Sequence, residues 1–122
     1  MVTKKTVRRT AIGIALTLCL LLSSGTVLAL QQDSFRVTQV ETTQNQVLVH
    51  FGTTIPSGNR CTGGFSTIAG CSTSDAYCEN VLRIALAAQV SGREVDFDLA
   101  SGSCVSGQVS SVSKITRIRI HD

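Results

Sequence analysis

The sequence predicts a small α+β domain that is mainly β, a barrel or twisted antiparallel sheet of about five strands with one helix and two disulfides. Three observations predict it. Apolar residues recur with a helical period over residues 74–91. The period then changes to two after Gly92, and other short alternating segments flank this unit. Four cysteines lie between residues 61 and 104, a density typical of small exported domains.

The predicted helix covers residues 74–91, with Ser72 or Ser74 as its N-cap. Gly92 follows it and is suited to the left-handed conformation in which many helices end. The polar residues cluster on one side of the helix, so the other side is expected to face a sheet. That apolar side consists of Tyr77, Cys78, Val81, Leu82, Ile84, Ala85 and Ala88.

The two strands after the helix have complementary charges. In Arg93–Leu99, apolar residues alternate with the acidic residues Glu94, Asp96 and Asp98. In Lys114–His121, the last strand, apolar residues alternate with Arg117, Arg119 and His121. If these strands pair, the acidic row faces the basic row across them.

The chain before the helix predicts two strands and a less regular region. Ser34–Glu41, which follows a polar tail, and Val47–Phe51 form a plausible hairpin, with a bulge in the first strand. Thr53–Thr73 is irregular, with a candidate third strand at Phe65–Ala69, and Ala100–Ser103 is read as a turn. Three strands, a helix and two strands is the order of the five-stranded OB barrel. A twisted antiparallel sheet covered by the helix is the alternative.

The first 29 residues are predicted to be a signal peptide. Four basic residues precede the apolar run Ala11–Leu22, and cleavage is expected after Ala29. The mature domain would then be residues 30–122, in the periplasm or outside the cell. The alternative is an uncleaved membrane anchor that spans Ala11–Leu30.

Removal of the signal peptide changes the net charge of the protein. The whole chain carries +3, but four of its eleven basic residues lie in the first nine positions. The mature domain therefore keeps seven basic against eight acidic residues. Because it has few aromatic residues and no basic run, nucleic acid is not expected as a partner. No membrane contact is expected after cleavage.

The four cysteines of the mature domain are Cys61, Cys71, Cys78 and Cys104. An even number in an exported chain predicts two disulfides, for which three pairings exist. Nine, six and 25 residues separate them, with no C-x-x-C motif and no histidine nearby, so no metal site is expected. No residue pattern indicates a cofactor.

The candidate catalytic groups are few. Asp96 and Asp98 lie on one strand face and could form a carboxylate pair, but a solvated face paired to arginines is the favoured interpretation. His50 and His121 are the only histidines, and each is expected on the exposed face of its strand. A Cys–His nucleophile needs a free thiol, which two disulfides would remove. An enzyme is therefore not expected.

The segment Leu82–Val95, followed by Cys104 and a Val/Ile-rich last strand, resembles a set of small exported bacterial proteins. Its layout is similar to that of the binding subunits of bacterial AB-type toxins, such as the subtilase cytotoxin family. The resemblance covers residues 61–121 and implies an OB fold, ring assembly and glycan binding. No sugar-binding residue can be transferred to this chain from its motif.

The same layout implies a disulfide pairing. Cys61 would bond to Cys104 and Cys71 to Cys78, and the alternative is Cys71 with Cys104 and Cys61 with Cys78. We expect an exported, non-catalytic binding protein whose partner is an unknown protein or a glycan. One alternative is a glycan-binding, ring-forming homo-oligomer similar to a toxin B subunit. A second is an inhibitor of a secreted hydrolase that uses the Thr53–Thr73 loop.

Overall fold

A computed structural model describes residues 29–105 and 111–122. It contains five strands and one α-helix, together with a short 3₁₀ turn at Ser57–Asn59. These elements are β1 (Ala29–Thr42), β2 (Gln46–Phe51), β3 (Ile68–Ser72), α1 (Cys78–Ser91), β4 (Glu94–Val105) and β5 (Val112–Ile120). The expected signal peptide lies outside the described residues except for Ala29, the first residue of β1.

The strands form a closed barrel in the order β1-β2-β3-β5-β4. Neighbouring strands are antiparallel except for β3 and β5, which run parallel at Ala69↔Ser113 and Gly70↔Lys114. The helix lies between β3 and β4 in the chain. The predicted fold class is thus confirmed, in the form of an OB-like barrel. Of the helices in residues 29–105 and 111–122, none has the length and apolar character needed to cross a membrane.

Three phenylalanines form the centre of the core. The rings of Phe51 and Phe97 stack with centroids 4.5 Å apart, and Phe35 packs edge-on against both. Full burial of such a side chain is worth about 1.5–3 kcal/mol. The helix covers this cluster with its buried residues Cys78, Val81, Ala85 and Ala88, which belong to the predicted apolar face.

The helix is shorter than predicted. It begins at Cys78, four residues later than expected, and Tyr77 at the N-cap makes no side-chain capping bond. Ser72 instead caps a turn in which its Oγ accepts from the Ser74 N–H at 3.3 Å. The Cys71–Cys78 disulfide explains the late start, because the six residues between must reverse direction to bring α1 back onto β3. The predicted end is confirmed, with Gly92 at φ 70°.

Two strands are longer than predicted. β1 begins at Ala29, the last residue of the expected signal peptide, and runs through residues 30–34, which were expected to form a polar tail, while β4 continues through the turn expected at Ala100–Ser103. Ala29 pairs with Ala100, so these added residues help to close the barrel. Irregular pairing lets the chain continue through both stretches: Ser34 and Gly102 have positive φ, and the register shifts beside each.

The third strand lies three residues further along than predicted. β3 is Ile68–Ser72, and Phe65, in the expected strand, is 40 % exposed in the loop before it. The misplacement has a physical cause: Ala69, Gly70 and Cys71 are buried in succession, so the strand shows no alternating pattern.

Both disulfides of the implied pairing are present. Cys61–Cys104 fixes the irregular loop between β2 and β3 to the far part of β4, and Cys71–Cys78 fixes β3 to the start of α1. Cys61 is also buried, and its N–H donates to Ser113 Oγ at 3.0 Å. The irregular region is thus pinned to the barrel.

We predict that Gly70→Ala lowers the free energy of unfolding by about 1–3 kcal/mol or more, because the added methyl group would collide with the Val47 carbonyl oxygen of β2. Gly58→Ala is the matched control, since nothing lies within 4 Å of its added Cβ and its φ is ordinary. Urea unfolding of the two variants measures the difference. Equal stability of both would contradict the described β2–β3 packing.

Candidate functional site

The predicted charge ladder between β4 and β5 is present. Asp96 pairs with Arg119 and Asp98 with Arg117 in the strand register. Arg119 Nε lies 3.3 Å from Asp96 Oδ2, and Arg117 Nε lies 3.9 Å from Asp98 Oδ2. The interpretation of these carboxylates as partners of arginines is therefore correct, but Asp96 does not lie on a solvated face as expected.

Asp96 is buried, with only 7 % of its side chain exposed. The sequence pattern predicts that Asp96 lies on the solvated face of β4, but Ser34, Arg119 and His121 contact its carboxylate. Near Ser34, where φ is 61° and the register with β4 shifts, the Ser34 N–H turns toward Asp96 and donates to Oδ1 at 3.0 Å. The shift in strand register at Ser34 thus gives the Asp96 carboxylate a backbone donor from β1.

The buried carboxylate is matched by donors on both neighbouring strands. Oδ1 accepts from Ser34 N–H and lies 2.7 Å from His121 Nδ1, while Oδ2 faces Arg119. Burial by itself raises the pKa of Asp96, but the Ser34 N–H, His121 and Arg119 together outweigh it and hold the pKa below its ordinary value. Asp96 is therefore an ionised carboxylate at neutral pH.

His121 lies just after β5 and is half-buried, whereas it was expected on the exposed face of the strand. The backbone N–H of His121 donates to the Glu94 carbonyl at 2.8 Å, and the backbone carbonyl of His121 accepts from Arg93 Nη2 at 3.2 Å. These contacts hold the imidazole between Asp96 and Ser34, where Nε2 is 3.2 Å from Ser34 Oγ.

The hydrogen bonds assign the tautomer of this imidazole. A carboxylate only accepts hydrogen bonds, so Nδ1 of His121 carries the proton that Asp96 accepts. In the neutral ring Nε2 then has a lone pair, and it faces the hydroxyl of Ser34. Ser34, His121 and Asp96 thus have the connectivity of a serine nucleophile, a general base and the carboxylate that orients the base.

No signal in the sequence indicates this arrangement. Ser34 and Asp96 are 62 residues apart, and Ser34 and His121 are 87 apart. The other histidine, His50, is also half-buried and lies 2.8 Å from Glu41 on β1, so it too departs from its expected place on an exposed face. Each histidine has a carboxylate partner, but only His121 also faces a serine in the part of the chain that is described.

A second candidate site lies at the opposite ends of β4 and β5. The β1–β2 loop and the segment before α1 meet there, because Thr73 N–H donates to the Asn45 carbonyl at 2.9 Å. The ends of β4 and β5 adjoin them through the Val105↔Val112 pair. In OB folds the loops that follow the first and fourth strands flank the ligand.

Two adjoining hollows open at this end. One, of about 280 Å³, has a largely apolar wall that includes Val47, Cys78 and Leu82. The other, of about 240 Å³, is polar and is lined by Ser72, Ser74, Asp75, Cys104, Val105 and Lys114. Asp75 lines both hollows. The polar hollow thus offers hydroxyl, carboxylate and ammonium groups beside an apolar surface.

The polar groups of this hollow are linked to one another. Ser72 Oγ and Ser74 Oγ are 2.8 Å apart, and Lys114 Nζ is 3.9 Å from Asp75 Oδ2. Tyr77 Oη donates to the same carboxylate oxygen at 3.4 Å. Burial, and then the negative charge of Asp75, raise the pKa of Tyr77, so its hydroxyl remains a neutral donor.

A buried glutamine lies beside the polar hollow. Gln46 is fully buried, and its Nε2 donates to the carbonyl of Val105, a residue of the hollow wall, at 3.4 Å. Its Oε1 has no hydrogen-bond partner among the described residues. All four cysteines of the described residues are in disulfides, and residues 29–105 and 111–122 contain no cluster of three histidine, cysteine, aspartate or glutamate residues that could hold a metal ion.

We predict that Asp96→Asn lowers the free energy of unfolding by about 1–3 kcal/mol at pH 7, because buried donors lose a charged acceptor. The pKa of Asp96 is lowered by folding, so its stabilisation is present above the ordinary aspartate pKa and is lost as pH falls through the folded-state value. The difference between Asp96→Asn and wild type should therefore shrink below about pH 4. Urea unfolding from pH 7 to pH 3 measures it.

Asp98→Asn is the control for this prediction. Asp98 is 20 % exposed and lies 3.9 Å from its arginine, so its loss should cost less than about 1 kcal/mol. A neutral-pH effect of Asp96→Asn no larger than that of Asp98→Asn would contradict the described network.

No known protein family matches the chain, and no curated protein or solved structure matches it either.

Proposed function

We propose that this chain is an exported binding protein, periplasmic or secreted, that holds a hydroxyl-rich ligand such as a glycan at the polar hollow without reacting with it. The observation that carries this proposal is the chemistry of the hollow: two linked serine hydroxyls, a carboxylate and an ammonium group beside an apolar wall. A sugar ring has hydroxyl groups along its rim and apolar C–H faces, so it needs both kinds of surface.

The position of the hollow supports the same ligand class. It lies where the β1–β2 loop, the segment before α1 and the ends of β4 and β5 meet. OB folds bind oligosaccharides and oligonucleotides at the corresponding end. The hollow has no excess of positive charge, because the carboxylate of Asp75 offsets the ammonium group of Lys114, and this favours an oligosaccharide over a phosphate backbone.

The two disulfides support a preformed site. Cys71–Cys78 fixes the segment that carries Ser72, Ser74 and Asp75 at both of its ends. Cys61–Cys104 holds the part of β4 that lines the polar hollow. Since a rigid site loses little entropy on binding, modest polar contacts suffice for measurable affinity. Disulfides also fit an oxidising compartment, which supports export to the periplasm or beyond.

We predict that the oxidised protein purified from a periplasm binds at least one member of a panel of free oligosaccharides. In ¹H–¹⁵N NMR titrations the shifts should centre on residues 72–75 and Lys114. Ser72→Ala/Ser74→Ala should weaken this binding about five-fold or more, because each lost hydroxyl removes a hydrogen bond worth about 0.5–1.5 kcal/mol.

Ser57→Ala/Ser101→Ala is the matched control, since both serines are exposed and neither lines the hollow. It should bind as wild type does. Shifts centred elsewhere, unchanged affinity of Ser72→Ala/Ser74→Ala, or no binding across the panel would each overturn the proposal.

A further inference from the structure

We propose that Ser34 is an activated nucleophile that accepts an acyl group from an ester, with His121 as its general base and Asp96 as the positioning residue. This site lies at the other ends of β4 and β5 from the polar hollow, and the inference does not rest on glycan binding. It adds a covalent activity to a chain for which the sequence predicts no enzyme.

The geometry of the hydrogen bonds is the first support. Ser34 Oγ lies 3.2 Å from His121 Nε2, and His121 Nδ1 lies 2.7 Å from Asp96 Oδ1. Because Asp96 fixes the proton on Nδ1, the lone pair of Nε2 is available to the serine hydroxyl. The distances fit a nucleophile and base that tighten further when a substrate is present.

The backbone of Ser34 is the second, independent support. Among the described residues Ser34 is the one non-glycine residue with a positive φ, at 61°. This conformation costs a serine about 1–2 kcal/mol, and such strain concentrates at active sites. In many hydrolases the nucleophilic serine is likewise presented on a sharp, strained turn.

Accessibility and charge are the third support. Ser34 is exposed and 38 % of the His121 side chain is exposed, so an ester can reach Oγ from solvent. The Arg93 guanidinium donates to the His121 backbone carbonyl at 3.2 Å, so a positive charge lies beside the residue that carries the base. The open surface fits an ester on an extended or surface-bound molecule.

The acyl transfer balances without any further reactant. Oγ of Ser34 attacks the ester carbonyl carbon, and its proton moves to His121 Nε2. The new Oγ–C bond forms, the bond from that carbon to the alcohol oxygen breaks, and the proton passes from His121 to the leaving oxygen. The products are an acylated Ser34 and the free alcohol.

The test is labelling of the oxidised, exported protein with an alkyl fluorophosphonate at neutral pH. The probe forms an Oγ–P bond and releases fluoride, and the adduct is mapped by intact-mass and peptide mass spectrometry. We expect one adduct, on Ser34, that is absent in Ser34→Ala. His121→Ala should label about 100-fold more slowly, because a general base contributes that much or more.

Ser57→Ala is the control variant, and it should label as wild type does, since Ser57 is exposed and lies in the 3₁₀ turn. Thermal unfolding checks that each variant is folded, and free imidazole should partly restore labelling of His121→Ala. Two results would overturn the proposal: no adduct on Ser34 while trypsin labels fully in the same solution, or an adduct that forms equally fast in His121→Ala.

Discussion

The carboxylate of Asp96 joins the three strands at which the barrel closes. β4 lies between β5 and β1 in the barrel, and Asp96 bonds to both neighbours, through Ser34 on one side and through Arg119 and His121 on the other. A buried carboxylate is costly unless its lone pairs are satisfied. Here both oxygens have partners, so the charge favours the one register of β1 and β5 that supplies them.

The two ends of the barrel are built on different constraints. At one end, two disulfides hold irregular segments, and the polar hollow beside them is lined by linked hydroxyl, carboxylate and ammonium groups. At the other, the hydrogen bonds of one buried charge hold a serine in a strained conformation beside a histidine. Both proposals follow from this division: a preformed binding site where the chain is cross-linked, and a reactive group where the strand pairing is irregular.

Local patterns in the sequence predict the elements that obey them. The buried face of α1 and the apolar face of β4 follow from periodicity, and the end of α1 follows from the ability of Gly92 to adopt a left-handed conformation. The Asp–Arg ladder follows from pairing two alternating strands. The start of β1 and the position of β3 cannot be predicted from alternation. A bulge breaks the alternation in β1, and a run of small buried residues breaks it in β3. The Ser34–His121–Asp96 cluster has no local sequence pattern either, since it depends on that bulge and on contacts across 62 and 87 residues.

Asp96 holds His121 in one tautomer and orientation between β4 and β1. Long-range ¹H–¹⁵N NMR correlation of the imidazole, at a pH where the ring is neutral, tests it most directly. We expect a proton on Nδ1 and an unprotonated Nε2, because Nδ1 faces a carboxylate and Nε2 faces the Ser34 hydroxyl. A proton on Nε2, or rapid exchange between the two tautomers, would contradict it.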